Sequence, residues 1–198
     1  MDRERLWLKK NSLILVLALF SVGASAMFWP FKKYDVEMSP EVRGVIKLDG
    51  KPQVGLTVHR ELFYEGYKKG KTLKDEAQTN ELGEFFFPGV TVRSRAPGDI
   101  FGGSLNVHQK IYLNWQGDQK KVWGVWVPPD GRKPLLSMLS DINCELTNIE
   151  RIHEVEIAPE KGLPISVYSI CDWSNDRVTT YLYDEDSDTY IAKKDIVD

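Results

Sequence analysis

Apolar side chains recur at every second position through much of this chain. In SLNVHQKIYLNW, Leu105, Val107, Ile111, Leu113 and Trp115 share one parity, while Asn106, His108, Lys110 and Asn114 take the other. Successive strand side chains point to opposite faces, so the segment is predicted to be a half-buried strand. VRGVIKLDG and GLTVHRELFY are strand-like as well, separated by the turn signal Asp49-Gly50. KKVWGVWVP carries apolar residues on both parities, which predicts a strand covered on both sides. NCELTN, HEVEIAP and LPISVYSIC supply further strands, and TTYLY and TYIAKK form a closing hairpin across the acidic turn DEDSD. One short helix is predicted behind Pro134, where Leu135, Met138, Leu139 and Ile142 recur at three- and four-residue steps.

Within TNELGEFFFPGV, a turn at Asn80 to Gly83 leads into a strand holding Phe85, Phe86 and Phe87, stopped by Pro88-Gly89. Three consecutive Phe on a strand place one ring on the face opposite the other two. MFWPFKKYDVEMSPE reads as an irregular lead-in, and EGYKKGKTLKDE as a solvated loop or the ragged tip of a hairpin. Many short strands with turns every eight to twelve residues predict a mainly β chain, an antiparallel β-sandwich. The expected organisation is a lead-in over 27–41, a sandwich over 42–129, and a C-terminal β region over 130–198 that packs on it.

GVIKLDGKPQVGLTV together with TNELGEFFF resembles the carboxypeptidase regulatory-like domain, a transthyretin-like β-sandwich common in exported bacterial proteins. The likeness covers roughly residues 44–127 and rests on Gly44, Ile46, Gly50, Pro52, Gly55, Val58, Thr79, Asn80, Gly83, Phe85 and Phe87. The resemblance implies a fold and little about function. Gly50 and Gly83 suit turn positions with positive φ, and Asn80 can bond back to the loop backbone. Phe85 and Phe87 then point into the sandwich, while Phe86 faces out or is covered. The stretch from Val58 to Thr79 is longer and richer in lysine than that pattern, and the Gly-x-Tyr that often follows the Phe strand is missing. Transthyretin-like folds include a hydrolase of a purine breakdown product that ends in Tyr-Arg-Gly-Ser; this chain ends AKKDIVD.

The first 26 residues change the compartment. A basic start, the apolar run SLILVLALFSVG and the small residues Ala24-Ser25-Ala26 predict a secretory signal. Its removal would take the formal charge from −3 to −5, and a mildly acidic protein does not match a general nucleic-acid binder. The expected location is periplasmic or secreted, with no stable membrane insertion after cleavage. Both cysteines, Cys144 and Cys171, lie in the exported part and are predicted to form a disulfide in an oxidising compartment.

The chemistry sought in the sequence is mostly not assembled. It has no Gly-x-Ser-x-Gly elbow, no Gly-x-x-x-x-Gly-Lys loop and no Gly-x-Gly-x-x-Gly turn. His59, His108 and His153 fall on separate predicted strands without a second metal-ligand type at zinc spacing. Asp184, Asp186 and Asp188 resemble the start of a calcium loop, but Thr189 stands where its glycine belongs, so a hairpin turn is the simpler expectation. No catalytic residue, metal or cofactor is expected. Tyr64 and Tyr67 among Lys68, Lys69 and Lys71 have the composition of a recognition loop, in a protein that is otherwise acidic. Trp115, Trp123 and Trp126 lie on strongly apolar strands, which favours core packing over a sugar platform. The expected function is that of a non-catalytic binding protein of the bacterial cell envelope acting on a protein partner. Its most concrete version is an immunity-type inhibitor of a periplasmic toxin; the alternative is an envelope-structural or carbohydrate-binding module.

Overall fold

The alternating segments become short strands in a computed structural model that describes residues 32–98, 106–128, 132–157, 163–173 and 176–195. The expected secretory signal lies outside them. In chain order the first strands are β1 (Tyr34–Ser39), β2 (Val42–Leu48), β3 (Lys51–Pro52), β4 (Thr57–Phe63), β5 (Leu73–Gln78), β6 (Glu84–Phe87) and β7 (Val90–Ser94). They are followed by β8 (Val107–Trp115), β9 (Asp118–Val127), helix α1 (Arg132–Leu139), β10 (Ile142–Glu145) and β11 (Arg151–Val155). The chain then closes with β12 (Ile165–Ser169), β13 (Cys171–Asp172), β14 (Val178–Asp184) and β15 (Thr189–Ala192).

Two layers enclose the main core. One sheet runs β13-β10-β2-β3 with β6 also on β2; the other runs β5-β4-β8-β9. Val42, Ile46, Phe85, Phe87 and Ile142 from the first face Val58, Ile111, Leu113, Trp123 and Val125 from the second. Leu135, Met138 and Leu139 of α1 join this core, so the helix lies where its periodicity placed it and Ile142 already starts the next strand. A third sheet, β12-β11-β14-β15, adds Val155 and Val167 to the same core. The fold is thus a mainly β sandwich. Among the described residues no helix is long and apolar enough to cross a membrane.

Three departures from the sequence reading have physical causes. The expected irregular lead-in contains β1, which pairs antiparallel with β7 and closes a second core of Val36, Met38, Leu62, Tyr64, Val92 and Val107. Residues 73–76, expected in a solvated loop or hairpin tip, belong to β5, whose polar composition reflects an edge strand with one neighbour. On the C-terminal side of the boundary expected at 129/130, β10 lies parallel to β2 in the sandwich sheet itself, the one parallel pair among the described strands. Cys144 and Cys171 stand opposite each other in the β10–β13 ladder and form the expected disulfide.

The Phe strand follows its alternation. Phe85 and Phe87 are buried, and Phe86 remains 42% exposed with the Arg43 guanidinium 4.5 Å over its ring. Ahead of it, Asn80 Oδ1 accepts the N–H groups of Leu82 and Glu84, each at 2.9 Å, and Gly83 takes φ 72°. A Cβ on Gly83 would sit 2.7 Å from the Ile46 carbonyl oxygen, so both conformation and space require glycine there. The Asp49-Gly50 turn is held from far along the chain. Both Glu145 carboxylate oxygens accept its backbone N–H groups at 2.9 Å, and although burial alone would raise the Glu145 pKa, those bonds hold it below the ordinary value.

Candidate functional site

Strand β4 has one buried row: Val58, Arg60 and Leu62 point inward, and Tyr64 continues their parity past the strand end. Tyr64 is therefore 0% exposed in the second core, not at the surface where a contact residue was expected. Its burial anchors the turn that leads to β5. Tyr67 N–H bonds to Tyr64 C=O at 3.0 Å, Gly70 and Lys71 N–H both bond to Tyr67 C=O, and the Ser94 hydroxyl donates to Gly66 C=O at 2.6 Å.

The remaining predicted residues are displayed. Lys68, Lys69 and Lys71 are exposed, and Tyr67 is half-buried with the Lys68 ammonium 5.1 Å over its ring. Lys68 (φ 44°), Lys69 (φ 59°) and Gly70 (φ 75°) form three consecutive left-handed positions. For residues with a side chain this conformation costs about 1 kcal/mol each, and the anchored turn holds two lysines in it.

The tip runs into the outward face of the β5-β4-β8-β9 sheet. A Cβ on Gly70 would come within 3.0 Å of the Phe63 ring, and Phe63 meets Trp126 edge-on at 6.2 Å between centroids. Trp126 lies 4.6 Å from His108 and is 54% exposed. Burial and the neighbouring Lys110 push the His108 pKa down, so this imidazole is neutral at pH 7. In the next row, the Lys74 ammonium meets Glu61 at 2.7 Å, Glu61 also accepts the Tyr112 hydroxyl at 3.2 Å, and Lys110 lies 4.6 Å over the Tyr112 ring. The lysine bond leads the causes that hold Glu61 below the usual carboxylate range. Farther along, His59 stacks on Tyr112 at 5.1 Å and pairs with Glu76 at 3.0 Å.

A β-bulge explains the double-sided apolar pattern of KKVWGVWVP. Opposite Ile111 and Tyr112 stand Trp123 and Lys121, with Val122 inserted between them, so Val122 and Trp123 both face inward. The parity then resets: Val125 and Val127 are buried and Trp126 is exposed, while Gly124, on the outward parity, is itself buried beside the Lys121 side chain. The strand is consequently uncovered at Trp126. The three tryptophans divide, with Trp123 fully buried and donating to Gln109 Oε1 at 3.0 Å, Trp115 half-buried, and Trp126 displayed. Between β9 and β12 a groove of about 460 Å³ opens beside Trp126.

No reactive constellation is gathered elsewhere among the described residues. His153 is buried, with Nδ1 2.9 Å from Thr180 Oγ1 and Trp173 against its ring. Asp184 accepts from Ser187, and Tyr183 donates to Asp188, so these carboxylates serve the β14–β15 hairpin turn. Among the described residues, no group of three His, Cys, Asp or Glu side chains converges on a metal-sized space. Sequence reading missed Gly124, whose signal was a glycine in the middle of a strand. It also missed Arg60, a cation on the inward parity of an apolar strand.

No curated protein and no solved structure matches the chain. A family model described as a domain of unknown function, DUF6795, matches residues 42–149, from the first residue of β2 to beyond β10 and over more than half of the 198 residues, and the protein belongs to that family.

Proposed function

We propose that this is an exported, non-catalytic binding protein of the bacterial cell envelope that acts by occupying a protein partner, most concretely as an immunity-type inhibitor of a periplasmic toxin. The observation that carries the reading is the β4–β5 tip, where Lys68 and Lys69 are held in left-handed backbone on an anchored turn. Strain retained at exposed side chains indicates a conformation kept for recognition rather than for stability. Fixing cations in advance lowers the ordering cost of binding, and a basic tip on a protein of net negative charge selects an acidic surface. An acidic lining is what a cleft that handles cationic groups or polyanion-cleaving metals would present.

Affinity capture from envelope extract tests this, with Lys68, Lys69 and Lys71 intact or reversed to Glu. The expected result is one protein retained in stoichiometric amount by the native tip and lost on reversal. An unchanged set of retained proteins would remove the tip from the account. Tyr64→Phe, a buried change, should leave capture intact if the variant folds.

A further inference from the structure

We propose that the groove beside Trp126 binds an anionic saccharide, with a sugar ring on the exposed indole face and its carboxylate at Lys110. The site is separate in kind from the protein-partner reading and does not depend on it. Its volume, about 460 Å³, lies within the usual range for small-ligand sites. Trp126 is fixed by His108 on one side and the edge of Phe63 on another, so its displayed face is pre-positioned.

Gly124 lines the groove. It stands opposite Lys110 in the β8–β9 ladder, and its φ lies outside the left-handed region. The backbone therefore admits any residue, while glycine within a strand costs roughly 0.5 to 1 kcal/mol relative to alanine. Space is what singles glycine out: a Cβ would stand 2.8 Å from Lys121 Cδ and 3.6 Å from the Tyr168 carbonyl oxygen. The atoms that would meet that Cβ are the protein's own, the Lys121 stem and the Tyr168 carbonyl of β12, as expected where a neighbouring strand's backbone approaches the sheet closely.

Charge selects the class of sugar. Lys110 and Lys121 line the groove, and among the described residues no acidic side chain does. Lys121 is paired with Glu150 at 2.8 Å, whereas the Lys110 ammonium donates to the neutral Gln119 Oε1 at 2.6 Å. The row Lys74, Glu61, Lys110 thus carries one cation in excess. An extended acidic peptide fits less well. It would bind by adding to a strand edge, and Val125 and Val127 of β9 are only 2% and 3% exposed, backbone included. A saccharide instead matches an apolar ring face flanked by polar groups, here the Asn106 amide and the Ser166 hydroxyl on the groove wall.

Isothermal titration of the protein with tri-galacturonic acid, maltotriose and tetraglutamate at low salt tests the proposal. Tri-galacturonic acid is expected to bind, with maltotriose and tetraglutamate weaker. Trp126→Ala and Lys110→Ala should each weaken the acidic sugar about tenfold, the size of one aromatic or charged contact. The melting temperature of each variant, measured beside the titration, guards against loss of fold. Reversing Lys68, Lys69 and Lys71 should leave sugar binding intact, so failure of the tip reading and failure of this one are distinguishable. No binding of tri-galacturonic acid, equal binding of maltotriose, tighter binding of tetraglutamate, or indifference to Trp126→Ala would each overturn the proposal.

Discussion

Arg60 shows how one residue joins the two cores. Its guanidinium is 0% exposed and makes paired bonds to Asp75 at 3.0 and 2.6 Å from the neighbouring strand. It also donates to Pro88 C=O at 2.9 Å and lies 4.7 Å over Phe87. A buried cation is tolerated only while its donors are met, so Asp75→Ala should cost about 3 kcal/mol in urea unfolding. A loss under about 1 kcal/mol would show that the remaining acceptors suffice. His153 has the opposite problem. Burial, opposed by Asp172 and reinforced by Arg151, lowers its pKa to about 4, so it folds as the neutral imidazole. The unfolded chain takes up a proton near pH 6.5 and the folded one does not, so its contribution is complete above pH 6.5. It is lost as pH falls toward 4, by roughly 3 kcal/mol in total. Stability measured from pH 7 to 5 should decline, and His153→Gln should flatten that decline; an equal decline in the variant would assign it to other groups.

At the scale of elements, the disulfide spans 27 residues and ties β10 to β13 within the sheet that also holds β2. Closing a loop of that length stabilises by about 3 to 4 kcal/mol in the chain-entropy model. Replacing both cysteines by Ala should lower unfolding stability by that order, and reducing agent should affect only the parent; no difference between the two proteins would contradict the role. Elements with one predominantly apolar face were legible in the sequence. β2, β4, β6, β8 and α1 have such faces, and the Asn80 to Gly83 turn had residues suited to it. β1 and β5 were not legible: β5 because an edge strand buries little, and β1, which does bury Val36 and Met38, because its pairing with β7 is decided by tertiary contacts. β9 was read as covered on both faces because an inserted Val122 shifts parity in a way that composition does not reveal.

Across the whole molecule, two cores fix a rigid body that displays a basic tip and an aromatic groove along one continuous face. Of the candidate site, the lysines were legible from their clustering on a turn. The inward aim of Tyr64 followed the parity of β4, but only knowledge of where the strand ends made it readable. Trp126, His108 and Gly124 become neighbours through cross-strand register, which no local stretch of sequence contains. The account stands on the proposition that the left-handed lysines are held for a partner at a cost to the fold. Its most direct test is the affinity of the captured protein for a Lys68→Gly, Lys69→Gly variant, measured beside the stability of that variant. Relief of left-handed strain should raise stability by about 1 kcal/mol per site, while loss of two positioned cations weakens binding about tenfold or more. Binding that survives undiminished in the stabilised variant would contradict the account.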